Sequence, residues 1–385
     1  MTTEGLRIAL FSGNYNMTVD GANKALNRLV EYLLRQGAKV RVYSATIDTP
    51  AFEPQGELVG VPSLAIPGRK EYRMPLFLSA RIRADLERFA PNVMHVSSPD
   101  FAARAAVRWA RARGIAVLGS VHTRFETYPR YYHLGFTEPL IESWLRRFYL
   151  SCDALVTPSA GMVEVLRAQG MNDDITLWER GVDRELFNSA RRDLAWRREK
   201  GIADDDVAVG FLGRLVMEKG LDAFAATMAE LCKRGAQHKV LVIGDGPARE
   251  WFEAQLPGAV QAGFQKGPDL GRAVAAMDVL FNPSETETFG NVTLEAMACG
   301  VPVVAARATG STSLVVEGVN GILVPPGDIP GFADAIIRYI ADPDLRRAHG
   351  QAGEERSRAY SWDVINQTVA DTYRRLVRQK RRATI

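Results

Sequence analysis

The chain has 385 residues, 46% of them apolar and 24% charged, a globular balance with length enough for two ordinary domains. A net charge of only +3 does not call for nucleic acid, and no stretch approaches the roughly 20 apolar residues that span a bilayer. Cys152, Cys232 and Cys299 are too few and too scattered for a disulfide framework or a zinc cluster, which suits a reducing compartment, and Met1–Gly5 shows no basic-then-apolar leader.

Arg7–Phe11 reads as a short buried strand. It opens into the loop Ser12–Asn16 and then into Asp20-Gly21-Ala22. A helix starts there, with Ala25, Leu26, Leu29, Val30, Leu33 and Leu34 at helical spacing, and Gly37 ends it. Lys39–Tyr43 is the next strand, so the chain opens as strand, loop, helix, strand, the start of a parallel doubly wound sheet. Gly21 lies where the loop enters the helix and, without a Cβ, allows close approach of backbone to a ligand. Residues 61–77 read as strand-like, then irregular and basic, with Arg69, Lys70 and Arg73. Ser79–Phe89 is an amphipathic helix closed by Pro91, Asn92–Val96 a strand, and Phe101–Arg113 a helix with Arg104, Arg108 and Arg111 on a solvated stripe.

Ala116–Val121 runs straight into His122, which places an imidazole at the carboxyl end of a parallel strand, where α/β ligands bind. Residues 123–136 hold Phe125, Tyr128, Arg130 and Tyr131, show no period, and read as a mobile loop. Glu138–Leu150 is an amphipathic helix, and Asp153–Ser159 a strand whose last residue caps the helix that follows. The polar stretch 188–205 marks a domain boundary, giving domains at 1–187 and 188–360 and a terminal segment at 361–385. Within that stretch Asp204-Asp205-Asp206 spells a metal motif in letters only and reads as a solvated run.

The second half begins again with a strand, Val207–Leu212, followed by Gly213-Arg214 and Lys219-Gly220. Two cations near a strand's carboxyl end can neutralise a diphosphate, and Arg can do so with two parallel bonds. Lys239–Ile243 leads into Gly244-Asp245-Gly246-Pro247, where Arg249 stands in place of the third glycine of a dinucleotide fingerprint; this reads as a turn. Val260–Phe264 is a short strand, Pro268–Met277 a helix and Asp278–Phe281 a strand. A polar loop with Glu285, Glu287, Phe289 and Gly290 then feeds a helix over Asn291–Ala298, stopped by Gly300. The start of that helix offers backbone N–H groups and a partial positive charge, a seat for phosphate. Glu295, in its second turn, is too far along to cap and suits a ribose or sugar hydroxyl. Gly331–Ala341 and Asp363–Arg382 are helices, and the last holds Arg374, Arg375, Arg378, Lys380, Arg381 and Arg382.

Glu287 and Glu295, set in ETFGNVTLEAMACGVPV, closely resemble the donor-site signature of family 4 retaining glycosyltransferases of GT-B fold. Gly213-Arg214 with Lys219-Gly220 resembles the same family's phosphate pair, and Val121-His122-Thr123 with Phe125 and Tyr128 resembles its lipid-glycosylating, mannosyltransferase-like branch. The resemblance implies two Rossmann-like doubly wound domains facing across a cleft, with the final helix crossing back onto the first. It implies a retaining sugar transfer from a UDP- or GDP-sugar to an acceptor hydroxyl. Arg214, Lys219 and the amides around Gly290, Asn291 and Val292 would hold the diphosphate. Glu295 would take the ribose, Glu287 and His122 the transferred sugar, and Gly263 and Phe264 the base. Gly21 would approach the diphosphate and Phe289 belongs to the same signature.

No metal or other cofactor is expected, and no general base is assigned, since the leaving phosphate itself takes the acceptor proton in this family. Arg69, Lys70, Tyr128, Arg130 and Tyr131, with the basic tail, point to a lipid or glycolipid acceptor and an anionic membrane surface, at the cytoplasmic face. A soluble or polysaccharide acceptor is the alternative. A nicotinamide dehydrogenase would need an intact G-x-G-x-x-G, the spacing of Glu287 and Glu295 argues against an epimerase, and near-neutral charge argues against a nucleic-acid binder.

Overall fold

The computed structural model describes residues 3–18, 20–66, 69–127 and 135–383. The elements in the first half are β1 (Arg7–Phe11), α1 (Gly21–Arg35), β2 (Lys39–Ser44), β3 (Glu57–Gly60), β4 (Ser63–Ile66), β5 (Arg69–Pro75), α2 (Ala80–Phe89), β6 (Val93–Val96), α3 (Phe101–Arg111), β7 (Ala116–Ser120), α4 (Glu138–Tyr149), β8 (Ala154–Thr157), α5 (Ala160–Ala168) and β9 (Ile175–Leu177). Those in the second half are α6 (Leu194–Glu199), β10 (Ala208–Leu212), α7 (Leu221–Lys233), β11 (Lys239–Ile243), α8 (Arg249–Gln255), β12 (Val260–Gly263), α9 (Gly267–Ala275), β13 (Val279–Asn282), α10 (Asn291–Ala298), β14 (Val303–Ala306), α11 (Ser311–Leu314), β15 (Gly321–Val324), α12 (Ile329–Ala341), α13 (Pro343–Ser357) and α14 (Trp362–Ala383).

The chain forms two compact units, Met1–Glu179 with Trp362–Ile385, and Arg180–Ser361. The first contains a seven-stranded sheet in the order β3-β2-β1-β6-β7-β8-β9, every pairing parallel. The second contains a six-stranded parallel sheet in the order β12-β11-β10-β13-β14-β15. In both, the order reverses beside the opening strand, and that reversal opens a crevice at the strands' carboxyl ends. The strands are near-continuous apolar runs because helices cover both faces of a parallel sheet. In the second unit Phe224 stacks on Phe281 at 5.1 Å, and Phe281 meets Phe332 at 5.0 Å. In the first, Phe11 stacks on Tyr43 at 4.7 Å.

The unit division falls at Glu179/Arg180, ahead of the boundary that composition marks at 188. The polar stretch 188–205 lies inside the second unit and is tied into it. Arg197 is fully buried and donates to the Asp278 carboxylate at 3.0 Å and to the Asp206 carbonyl at 2.8 Å. A charged stretch looks like a linker in letters, but its charges here serve buried acceptors. Asp204 pairs with exposed Arg198, as a solvated run does.

The final helix packs in the first unit. Arg375 bonds Asp174 at 2.9 Å, Lys380 bonds Asp153 at 2.7 Å, and Arg374 pairs with Asp371 on its own helix. Half of the basic tail is therefore engaged within the protein. Helix α13, whose Asp342 side chain caps its first turn, has no counterpart in the sequence reading because glycines and charges interrupt its apolar period.

Gly244 and Gly246 have a packing role. Gly244 has φ +145°, and a Cβ there would stand 1.9 Å from the Gly213 carbonyl oxygen. A Cβ on Gly246 would stand 2.5 Å from that of Leu215. The loop after β11 thus presses on the loop that carries Arg214. Gly244→Ala should destabilise the protein by about 2–5 kcal/mol in urea unfolding, through backbone strain and overpacking together. A loss below about 1 kcal/mol would show that the two loops part without cost.

Candidate functional site

In the second unit the strand order reverses between β10 and β13, and the loops leaving these two strands meet. The loop after β10 carries Arg214, which is half-buried, and ends in a tight turn, Met217–Lys219. Gly220 follows at φ +73°, where a Cβ would lie 3.1 Å from the Pro283 carbonyl oxygen. The loop after β13 bonds back to that turn, with the Thr286 hydroxyl donating to the Glu218 carbonyl at 2.9 Å. The Lys219 ammonium and the Glu287 carboxylate form a direct ion pair. Glu287 is the more buried partner, with 12% of its side chain exposed against 34% for Lys219. A cation and a carboxylate read separately from the sequence therefore touch.

The backbone of Glu287 is fixed from a third direction. Its carbonyl accepts from the Gly310 amide at 2.8 Å and the Thr309 hydroxyl at 3.0 Å. A Cβ on Gly310 would stand 2.7 Å from that carbonyl oxygen and from the Phe289 nitrogen. Only glycine lets the 309–311 segment back the loop so closely. Beside it the Ser311 hydroxyl is fully buried and has no hydrogen-bond partner among the described residues. Gly290 stands at φ +98° and turns the chain into α10, and no side chain caps that helix. The first turn holds no carboxylate, so the amides of Asn291 and Val292 and the positive end of the helix dipole are not compensated there by an acid. Glu295 lies half-buried in the second turn, and its charge helps burial to push the Cys299 thiol up to about 12.

The other residues assigned to this side fall in two groups. Gly263 ends β12 at φ +67°, and Phe264 beyond it is 60% exposed, a ring open to stacking. Phe289 is buried and packs edge-on against Tyr360 at 6.0 Å, so its ring braces the loop from within the unit. A ring contact with a ligand, which its place in the signature suggests, does not fit that burial.

In the first unit the reversal lies between β1 and β6. Gly21 is the first residue of α1, whose cap is the Asp20 side chain. His122 follows β7, and its Nε2 lies 2.9 Å from the Ser120 hydroxyl. Trp178, fully buried, sets its ring edge-on to His122 at 5.3 Å. The Trp178 indole donates to Asn366 on the last helix at 3.2 Å, and the Asn366 amide donates to the Arg28 carbonyl on α1 at 3.2 Å. His122 is thus held by residues far apart in the chain, and sequence reasoning had no signal for Ser120 or Asn366. It also passed over Asp100, which caps α3 and accepts from the Ser98 hydroxyl at 2.6 Å. Burial raises Asp100 to about 6. A Ser-x-Asp at a strand end before a helix was the available signal. Tyr128, Arg130 and Tyr131 lie outside the described residues, as do the side chains of Arg69 and Lys70. Among the described residues no group of three or more His, Cys, Asp or Glu side chains is placed to hold a metal ion.

Residues 206–342 match the family model described as "Glycosyl transferases group 1", and residues 19–186 the one described as "Glycosyltransferase Family 4". The chain is 32% identical over 367 residues to "Sulfoquinovosyl transferase SQD2" of Arabidopsis thaliana, covering 92% of this chain and 71% of that protein. It is 30% identical to a "GDP-mannose-dependent alpha-mannosyltransferase" of Mycolicibacterium smegmatis, covering 94% and 95%. Its fold is that of a sucrose-phosphate synthase from Thermosynechococcus elongatus, at TM-score 0.77 and 22% identity over 96% of this chain and 99% of that one.

His95 provides a measurable consequence of this packing. It is fully buried, its Nδ1 lies 2.6 Å from the Tyr373 hydroxyl, and burial pushes its pKa down to about 3. The unfolded chain takes up that proton near pH 6.5. The stability that rests on a neutral His95 is therefore complete above about pH 6.5 and is lost as the pH falls from there toward 3. Urea midpoints between about pH 7.5 and 5 should fall more steeply for wild type than for His95→Gln. Parallel curves would remove His95 as the cause.

Proposed function

Since the chain belongs to glycosyltransferase family 4 and has the GT-B fold, we propose that it moves a sugar from a UDP- or GDP-sugar to a hydroxyl of a membrane lipid, with retention at the anomeric carbon. The chain is a glycosyltransferase acting with nucleotide sugars; the choice of donor, the acceptor and the residue roles are the proposal. The observation that carries it is the Lys219–Glu287 ion pair beside the uncapped start of α10, at the reversal point of the six-stranded sheet.

In this reading the diphosphate lies against Arg214, Lys219 and the amides of Asn291 and Val292. The bond between the anomeric carbon and the diphosphate oxygen breaks, and the charge growing on that oxygen is met by fixed cations and dipoles. The acceptor oxygen bonds to the anomeric carbon on the same face, and the leaving phosphate takes its proton. No side chain is assigned as base. Glu287 serves two ends: it binds sugar hydroxyls and it holds Lys219 in place. Glu295 takes the ribose diol, Phe264 stacks on the base beside Gly263, and His122, set by Ser120 and Trp178, is assigned to the transferred sugar. Arg214 and Lys219 supply the positive charge, so transfer proceeds without a metal or other cofactor.

A lipid acceptor would require work at a membrane surface, which we place at its cytoplasmic face. The association proposed is peripheral; among the described residues no helix is long and apolar enough to cross a membrane. Exposed Phe77 and Phe101 in the first unit support an amphiphilic acceptor.

Calorimetric titration with UDP and GDP, without added metal, tests the donor site. One nucleotide should bind, and Glu295→Ala should weaken it at least about tenfold by removing a charged hydrogen bond to the ribose. Binding of neither nucleotide would remove the assignment. A second variant tests the loop's support. Gly310→Ala must push back the Glu287–Phe289 backbone, so it should weaken the same nucleotide about tenfold or more while the protein stays folded. Unchanged affinity would mean that the loop does not shape the site.

A further inference from the structure

In the donor reading Lys219 meets a phosphate and Glu287 meets sugar hydroxyls, yet the two side chains are paired with each other. Neither can serve a ligand fully while it serves its partner. The Glu287 loop is fastened on two sides, so the pair does not part by a loop movement. The Thr286 hydroxyl bonds the Glu218 carbonyl at 2.9 Å, and the Glu287 carbonyl takes bonds from the Gly310 amide at 2.8 Å and the Thr309 hydroxyl at 3.0 Å. Lys219 ends the turn Met217–Lys219, and Gly220, which follows, packs close to the Pro283 carbonyl. A ligand in this site therefore meets a carboxylate that stays beside the ammonium.

The surroundings set how strongly that carboxylate acts. Glu287 is more enclosed than Lys219, so less water screens its charge. Glu285, two residues earlier, is exposed and holds no ion pair among the described residues. The ligands differ in charge as well. A free nucleoside diphosphate ends in a phosphate with about two negative charges at neutral pH, whereas the same phosphate joined to a sugar keeps about one. The free diphosphate adds repulsion at Glu287 and offers it no donor. The nucleotide-sugar adds less repulsion and brings hydroxyls that donate to the carboxylate in charge-assisted hydrogen bonds. Because Glu287 faces the sugar in this reading, its partner Lys219 lies at the phosphate next to the sugar.

Resting on the donor reading above, we propose that the Lys219–Glu287 pair makes the site select a nucleotide-sugar over the free nucleoside diphosphate that its own reaction leaves. In the empty site Glu287 is the anion that Lys219 binds. Sugar hydroxyls occupy the carboxylate and leave the ammonium to the phosphate beside the sugar. A free diphosphate competes with Glu287 for the same ammonium and faces its charge uncovered. After transfer the sugar has gone, the carboxylate takes the ammonium back, and the nucleotide is displaced. Glu287 is thus a selectivity residue as well as a sugar ligand.

The test is calorimetric titration of the full chain, without added metal, with UDP, UDP-glucose, GDP and GDP-mannose. The quantity read is the ratio of the dissociation constants of nucleotide-sugar and free diphosphate. In Glu287→Gln the free diphosphate should bind about five- to tenfold tighter and the nucleotide-sugar no tighter, because the amide keeps the shape and loses the charge. That tightening is expected whichever sugar the enzyme prefers. Lys219→Gln leaves the carboxylate uncovered and should shift the ratio the other way, weakening the free diphosphate at least about tenfold and the nucleotide-sugar less. Glu285→Gln removes an equal charge from the same loop and should leave both ligands within about twofold, since water already screens it. Urea midpoints check that each variant folds. A Glu287→Gln variant that weakens both ligands alike overturns the proposal. So does Glu285→Gln acting as Glu287→Gln does, which would make the effect one of overall charge. Wild type that binds a nucleotide, with a ratio that neither Glu287→Gln nor Lys219→Gln moves, removes the selectivity alone. Wild type that binds none of the four ligands removes the donor reading and the selectivity with it.

Discussion

A parallel strand must deliver its loop at its carboxyl end, and a right-handed crossover must carry the chain back to start the next strand. Where the strand order reverses, two neighbouring loops leave in opposite directions and a crevice opens between them. Everything chemical in the second unit follows from this constraint. β10 and β13 pair side by side, so the loop with Arg214 and Lys219 and the loop with Glu287 cannot avoid one another. The helix after β13 then points its N-terminus at the same place. The first unit repeats the arrangement with β1 and β6, and there Gly13, Ser98 and Asp100 gather.

Close approach at such a crevice depends on glycine. The loops after β10 and β11 touch backbone to backbone because Gly244 and Gly246 lack side chains. Segment 309–311 supports the Glu287 loop because Gly310 does. These glycines let the loops that carry the cations and the carboxylate pack closely on their neighbours. Gly290 differs, since its positive φ makes the turn that frees α10 from a side-chain cap.

Charge distribution carries a related lesson. Arginines are numerous along this chain, and their consequences diverge with their surroundings. Arg197 is a buried strut, Arg375 fastens the last helix to Asp174, and Arg146 and Arg147 stay exposed on α4. The ion pair of Lys219 with Glu287 is a fourth case, in which a carboxylate from one loop holds a cation from another. Position in sequence does not separate these cases, because each depends on what the fold brings within a few ångströms.

The local pattern of the chain was enough for most strands of the two sheets, though not for β3, β9 or the β4–β5 pair, where the basic stretch reads as irregular, and it was enough for α10 from Asn291 to Ala298, for the Ser159 cap and for the loops that carry Arg214, Lys219 and Glu287. Strand periodicity, turn glycines and caps act over a few residues, and so they are legible in letters. The resemblance of the Glu287–Glu295 stretch to a known family added the chemistry. Contacts between distant segments were not legible. The seat of His122 needs Ser120, Trp178 and Asn366, brought together from three parts of the chain, and burial of Phe289 needs Tyr360. The stretch 188–205 reads as a domain boundary until Arg197 finds its acceptors. The tail reads as a free basic patch until Asp174 and Asp153 meet it. In each case a side chain's meaning was set by packing and pairing across long sequence separations, and only the tertiary structure decides those.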